Sequence, residues 1–136
     1  MRARRAVDRG MYEQAYGLAR DLLELAEHYQ HDWNYGNALH HGHLILGRVA
    51  LAAQDLAGAR SELLLAGRTP GSPQLNSFGP NMSLALDLLR AGQRDVVIQH
   101  FDLCRRFWEM GGHQLGAWAV DITEGREPQF GTNLVY

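Results

Sequence analysis

Three of the chain's four prolines fall within one thirteen-residue stretch, TPGSPQLNSFGPN, which begins at Thr69. Before it and after it, as far as about residue 124, apolar residues recur at the three-to-four spacing of a helix face. A chain built this way is broken at that stretch and helical in pattern on both sides of it. No segment alternates as a half-buried strand does. The expected fold is all-α.

Tyr12, Ala15, Ala19, Leu22, Leu23 and Ala26 stripe one helix, and Leu39, His43, Leu46, Ala50 and Ala53 a second. Leu56, Ala59, Leu63 and Ala66 stripe a third. Leu84, Leu88 and Leu89 mark a short fourth that begins at Pro80, where the missing proline N–H costs nothing. Val97, Phe101, Cys104 and Trp108 mark a fifth, and a sixth spans about 114–124. The tail GREPQFGTNLVY carries too many breakers for helix and is expected to pack along the surface.

Composition narrows the function. With 136 residues the chain is expected to be one domain with its own core. A net charge of -2 gives no basic face for nucleic acid, although Arg2, Arg4, Arg5 and Arg9 cluster at one end. All thirteen basic residues are arginine, which fits a GC-rich, bacterial genome and excludes Schiff-base lysine and P-loop lysine chemistry. The lone Cys104 permits no internal disulfide and fits a reducing cytoplasm. With no run of about 18 apolar residues and no signal-peptide core, the expectation is a soluble cytoplasmic protein that contacts no membrane.

Residues 46–70 read LGRVALAAQDLAGARSELLLAGRTP. They resemble the tetratricopeptide repeat (TPR), with Leu46-Gly47 for its Leu-Gly pair and Ala50 in its helix A. Ala59, Leu63 and Ala66 match its helix B, and Pro70 lies within one residue of its closing proline; His43 in the tryptophan slot is a departure. A second copy carries Leu84-Ala85, Leu88, Val97, Phe101 and Cys104, with AGQRD matching the turn AAQDL. A half-copy holds Ala15, Ala19 and Leu22. The resemblance covers roughly 10–110, leaving the last helix and tail at 111–136. It implies a short TPR-like array of about five to six helices in antiparallel hairpins and a protein or peptide partner bound without catalysis; a homodimer follows from the open ends of so short an array.

The register locates two insertions. Gly47 and Ala85 are 38 positions apart against a repeat of about 34, and Ala15 and Ala59 are 44 apart. The extra residues fall in TPGSPQLNSFGPN and HYQHDWNYGN, and a third junction is WEMGGHQLG. In stacked hairpins all three lie along one edge. That edge would gather Trp33, Tyr35, Asn37, His40, His41, Asn76, Phe78, Asn81 and Trp108, together with Gln74 and His113. Trp33, Tyr35, Phe78 and Trp108 are the expected aromatic contacts of a binding surface, with Arg48 and Asn81 as orienting groups.

HYQHDWNYGNALHHGH holds five of the seven histidines. His28, His31 and His40 are the candidate ligands for zinc or another divalent metal, and a histidine beside Asp32 or Glu27 could act as a general base. No HExxH, GxSxG or glycine phosphate cradle accompanies them. Two readings stand: a scaffold that binds a polypeptide or itself without a cofactor, or a small-molecule or metal-dependent enzyme at the same edge. The inward groove of His41, Leu44, Arg48, Met82, Leu86 and Leu89 is apolar enough to need a cover, whether the first helix, the tail or a second subunit.

Overall fold

The computed structural model describes residues 2–32 and 34–135, with side chains from Gly10 onward. The described residues form seven α-helices and no strand: α1 (Arg2–His28), α2 (Tyr35–Ala52), α3 (Leu56–Gly67), α4 (Pro73–Phe78), α5 (Ser83–Arg90), α6 (Arg94–Cys104) and α7 (Gly112–Thr123). Single 3-10 turns occupy Glu109–Gly111 and Gly131–Leu134. The helix beyond the expected five to six is α4, inside the proline-rich stretch. Ser72 caps it by accepting from the Leu75 amide at 3.0 Å, and Pro73 sits in its first turn. α5 begins at Ser83 rather than Pro80: Met82, at φ −104° and ψ 10°, is outside the helix, and the amides of Asn81 and Met82 donate to His40 and to the Asn133 carbonyl.

Two links share one hydrogen-bond pattern. After α2, Gln54 takes φ 63° and the Asp55 amide donates to the Ala50 carbonyl at 2.8 Å. After α5, Gly92 takes φ 82° and the Gln93 amide donates to the Leu88 carbonyl at 2.9 Å. This left-handed helix stop with its six-to-one bond satisfies carbonyls that the helix end leaves open. The same stop recurs after α7, where Gly125 has φ 83° and the Arg126 amide donates to Asp121 at 2.7 Å. Corresponding residues of the first two stops are 38 positions apart, the interval that separates Gly47 from Ala85.

α2 packs on α1 and α3, α3 on α6, and α6 on α5 and α7. Leu63, Ala59, Val97 and Phe101 are fully buried, Leu46 is buried, and Ala50 is half-buried against the same core. Cys104 is sealed in, with Sγ 3.5 Å from His100 Nε2, and burial pushes its thiol well above the usual range. Such a thiol carries almost no thiolate at neutral pH.

The tail corrects an expectation. It contains no α-helix, only the 3-10 turn at Gly131–Leu134, yet it does not lie only on the surface. Phe130 is 2 % exposed, with its ring 4.9 Å from Trp118 and 6.2 Å from Phe101. The Asn133 carbonyl accepts from the Met82 amide at 2.7 Å, and Ser83 Oγ donates to the Leu134 carbonyl at 3.1 Å. The expected groove is therefore largely filled by the chain itself: Met82 and Leu44 are buried, and Leu86 and Leu89 are half-buried.

Phe130→Ala is expected to cost about 3–5 kcal/mol, the range for emptying a buried aromatic site. Urea unfolding measures this, and a loss below about 1 kcal/mol would show that the tail only decorates a core complete without it.

Candidate functional site

His40, on the inner face of α2, is fully buried and uses both ring nitrogens. The Asn81 amide donates to Nε2 at 3.1 Å, so Nε2 carries no proton. Nδ1 therefore bears the ring proton and donates to the Ala66 carbonyl at 3.0 Å. Burial, opposed by the Ala66 hydrogen bond, holds His40 neutral and lowers its pKa to about 3. One imidazole thus ties α2 to the last turn of α3 and to the entrance of α5.

Asn37, almost one turn earlier, binds the proline-rich loop. Its Nδ2 donates to Gln74 Oε1 and to Asn34 Oδ1, both at 2.8 Å, and its Oδ1 accepts from Ser72 Oγ at 2.6 Å. Thr69 Oγ1 donates to the Gly36 carbonyl at 2.7 Å. Backbone meets backbone here: a Cβ on Gly36 would lie 1.8 Å from the Gly71 carbonyl oxygen. With its amide nitrogen turned toward the carbonyls, Asn76 donates to Phe107 at 2.7 Å and to Ser72 at 3.2 Å. Gly79, at φ 85°, lies against the Trp108 ring, where a Cβ would come within 2.6 Å. Asn133 Nδ2 closes the far side by donating to the carbonyls of Pro80 at 3.0 Å and Phe78 at 3.2 Å.

The three junctions therefore meet, and in doing so they bury Asn37 and His40 and half-bury His41 and Asn81, while Gln74, Asn76 and His113 stay exposed. Asn37, His40 and the Asn81 amide form a clasp. Trp108, expected as an exposed contact, is 5 % exposed and packs with Trp118. His41 is half-buried at 5.3 Å from the His40 ring, and burial lowers its pKa. Phe78 is 57 % exposed. Tyr35 and Arg48 lie away from the clasp, and Trp33 is outside the described residues. Gly36, Thr69, Ser72 and Asn133 complete the clasp without having been singled out; Ser72-Pro73 was a legible helix start.

His40 has no free nitrogen, while His28 and His31 are exposed. His43 Nδ1 pairs with Glu62 Oε2 at 2.7 Å. Among the described residues no three His, Cys, Asp or Glu side chains gather as a metal site. His100 is fully buried beside Cys104, and burial, opposed by the Leu63 carbonyl, lowers its pKa to about 4.

The accessible surface feature lies on the other side of α2. Met11, Ala15, Leu18, Leu22, Leu25 and Tyr29 follow the alternating four–three spacing of a coiled-coil seam along α1. Leu18 is 68 % exposed, Met11 62 %, Tyr29 58 % and Leu25 56 %. A groove of about 380 Å³ is lined by Leu22, Leu25, Ala26, Tyr29, Asp32, Asn34, Tyr35 and Ala38. A second, of about 320 Å³, is lined by Met11, Tyr12, Ala15, Ile45, Arg48 and Val49. Both lie between α1 and α2 and share this seam.

Stability is expected to depend on pH through the buried histidines. In the unfolded chain they titrate near 6.5, and in the folded chain at about 3 and about 4, so the unfolded state takes up protons first as pH falls. Their contribution is present above about pH 6.5 and is lost as pH falls to about 4 for His100 and about 3 for His40, with a slope approaching ~1.4 kcal/mol per pH unit for each. In His40→Gln the amide keeps one donor and one acceptor, and urea midpoints from pH 4 to 8 should show that slope reduced by one proton. Separately, Gly36→Ala should cost about 1–3 kcal/mol by forcing the loop off α2. Amide exchange at Asn81 should then accelerate, and unchanged exchange would mean that the loop holds without this contact. No family model, curated protein or solved structure matches the chain.

Proposed function

We propose that the chain is a non-catalytic, TPR-like interaction module that binds a polypeptide along the cleft between α1 and α2. The observation that carries this reading is the exposed seam of Met11, Leu18, Leu25 and Tyr29, an apolar stripe of a kind that proteins acting alone seldom leave in water. The repeated helix stop after α2, α5 and α7 supports the array of helix hairpins. Its spacing of 38 and then 33 residues brackets the TPR period of about 34.

The clasp supports the absence of catalysis at the histidine edge. A neutral imidazole whose lone pair already accepts a backbone N–H offers nothing to a substrate proton. The lone sealed thiol fits a reducing cytoplasm, and among the described residues no helix is long and apolar enough to cross a membrane.

A photo-crosslinking residue at Leu18 should give a discrete polypeptide adduct in cells. Leu25→Asp should abolish that adduct while leaving the melting temperature within a few degrees, since Leu25 is already 56 % exposed. The same probe yielding no polypeptide adduct would end the reading.

A further inference from the structure

We propose that the occupant of the α1–α2 cleft is a second copy of this chain, docked antiparallel about a two-fold axis near the middle of α1. The inference rests on the interaction reading above and names its partner.

Spacing comes first. From Met11 to Tyr29 the seam runs about 27 Å at 1.5 Å per residue. An antiparallel copy centred between Leu18 and Leu22 sets Leu18 against the second copy's Leu22, Ala15 against its Leu25, and Met11 against its Tyr29. Every seam position then meets an apolar side chain, and the small Ala15 receives a large one. Such a contact is self-complementary, as a two-fold interface requires.

Charge selects the direction. Asp32 lies at one end of the cleft and Arg48 at the other, and neither makes an ion pair among the described residues. A parallel copy would bring Asp32 to Asp32 and Arg48 to Arg48. The antiparallel copy brings each Arg48 to the other chain's Asp32, twice per dimer.

Met11, Leu18, Leu25 and Tyr29 each leave more than half of their surface in water, so the contact would be built from large apolar side chains along the full length of the seam. α1 packs only on α2 among the principal helix contacts, so two α1–α2 pairs would complete a four-helix layer.

Sedimentation equilibrium of the purified chain should give twice its 15.3 kDa mass at micromolar concentration. Leu18→Asp with Leu25→Asp should give a monomer with unchanged helicity and an unchanged melting curve of the monomer unit. Arg48→Asp alone and Asp32→Arg alone should each weaken association roughly tenfold or more, and the two together should restore it. Oxidised Ala15→Cys/Leu25→Cys should trap a covalent dimer, whereas Leu25→Cys alone should not. A monomeric wild type, self-trapping of Leu25→Cys alone, or a charge swap without restoration would overturn the dimer. A monomeric wild type that still gives Leu18 adducts to a different polypeptide would overturn the dimer and leave the interaction module standing.

Discussion

The imidazole of His40 is the interaction on which the edge of this protein depends. It donates to the last turn of α3 and accepts from the loop ahead of α5, so two connections that are distant in sequence close on one buried ring. Asn37 lies on the same side of α2 at i, i+3 and does the same for Ser72 and Gln74. Removing either group would leave buried donors or acceptors unmet, which costs more than the net gain from an ordinary hydrogen bond. The conformations of Gly71 and Gly79, the seating of Trp108 and the position of α4 all presuppose this clasp.

Asn37, His40, Ser72, Thr69 and Asn133 are spent on closing the fold, which leaves the loop edge with fewer free polar groups than its sequence offers. Asparagine, serine and histidine side chains at an insertion resemble a recognition surface when read in sequence. Once packed, they replace backbone hydrogen bonds that an irregular segment cannot make for itself. α1 has the opposite imbalance. Ala19 and Ala26 are buried on its α2 side, while Leu18 and Leu25 are exposed beside them. A helix apolar over so wide an arc has room for two neighbours, and within the chain it meets one principal partner.

Much of the helical framework was legible because its cause is local. The stripes through Leu63, Val97 and Phe101 are buried where the spacing puts them, and the AAQDL and AGQRD turns share one hydrogen-bonded stop. Trp108 continues the apolar stripe of Val97, Phe101 and Cys104, and its burial against Gly79 follows that spacing rather than a place on an exposed edge. Phe130 lies in a segment without periodicity, where burial depends on what comes to meet it, here Phe101 and Trp118. The α1 seam was readable from its spacing, but the stripe through Tyr12, Ala19 and Ala26 overlapped it. Only the exposure of Leu18 and Leu25 separates the two faces.

By itself the sequence determined the class of fold, the helix stripes and the interior break around three prolines. Those properties depend on neighbours three or four residues apart and on fixed proline geometry. The tertiary structure alone decided that His40 is a neutral tie, that Asn37 and Asn133 close the loop, and that the open apolar surface belongs to α1. Hydrogen bonds spanning 26 to 53 residues settle the first two, and the packing of α2 against only one side of α1 settles the third.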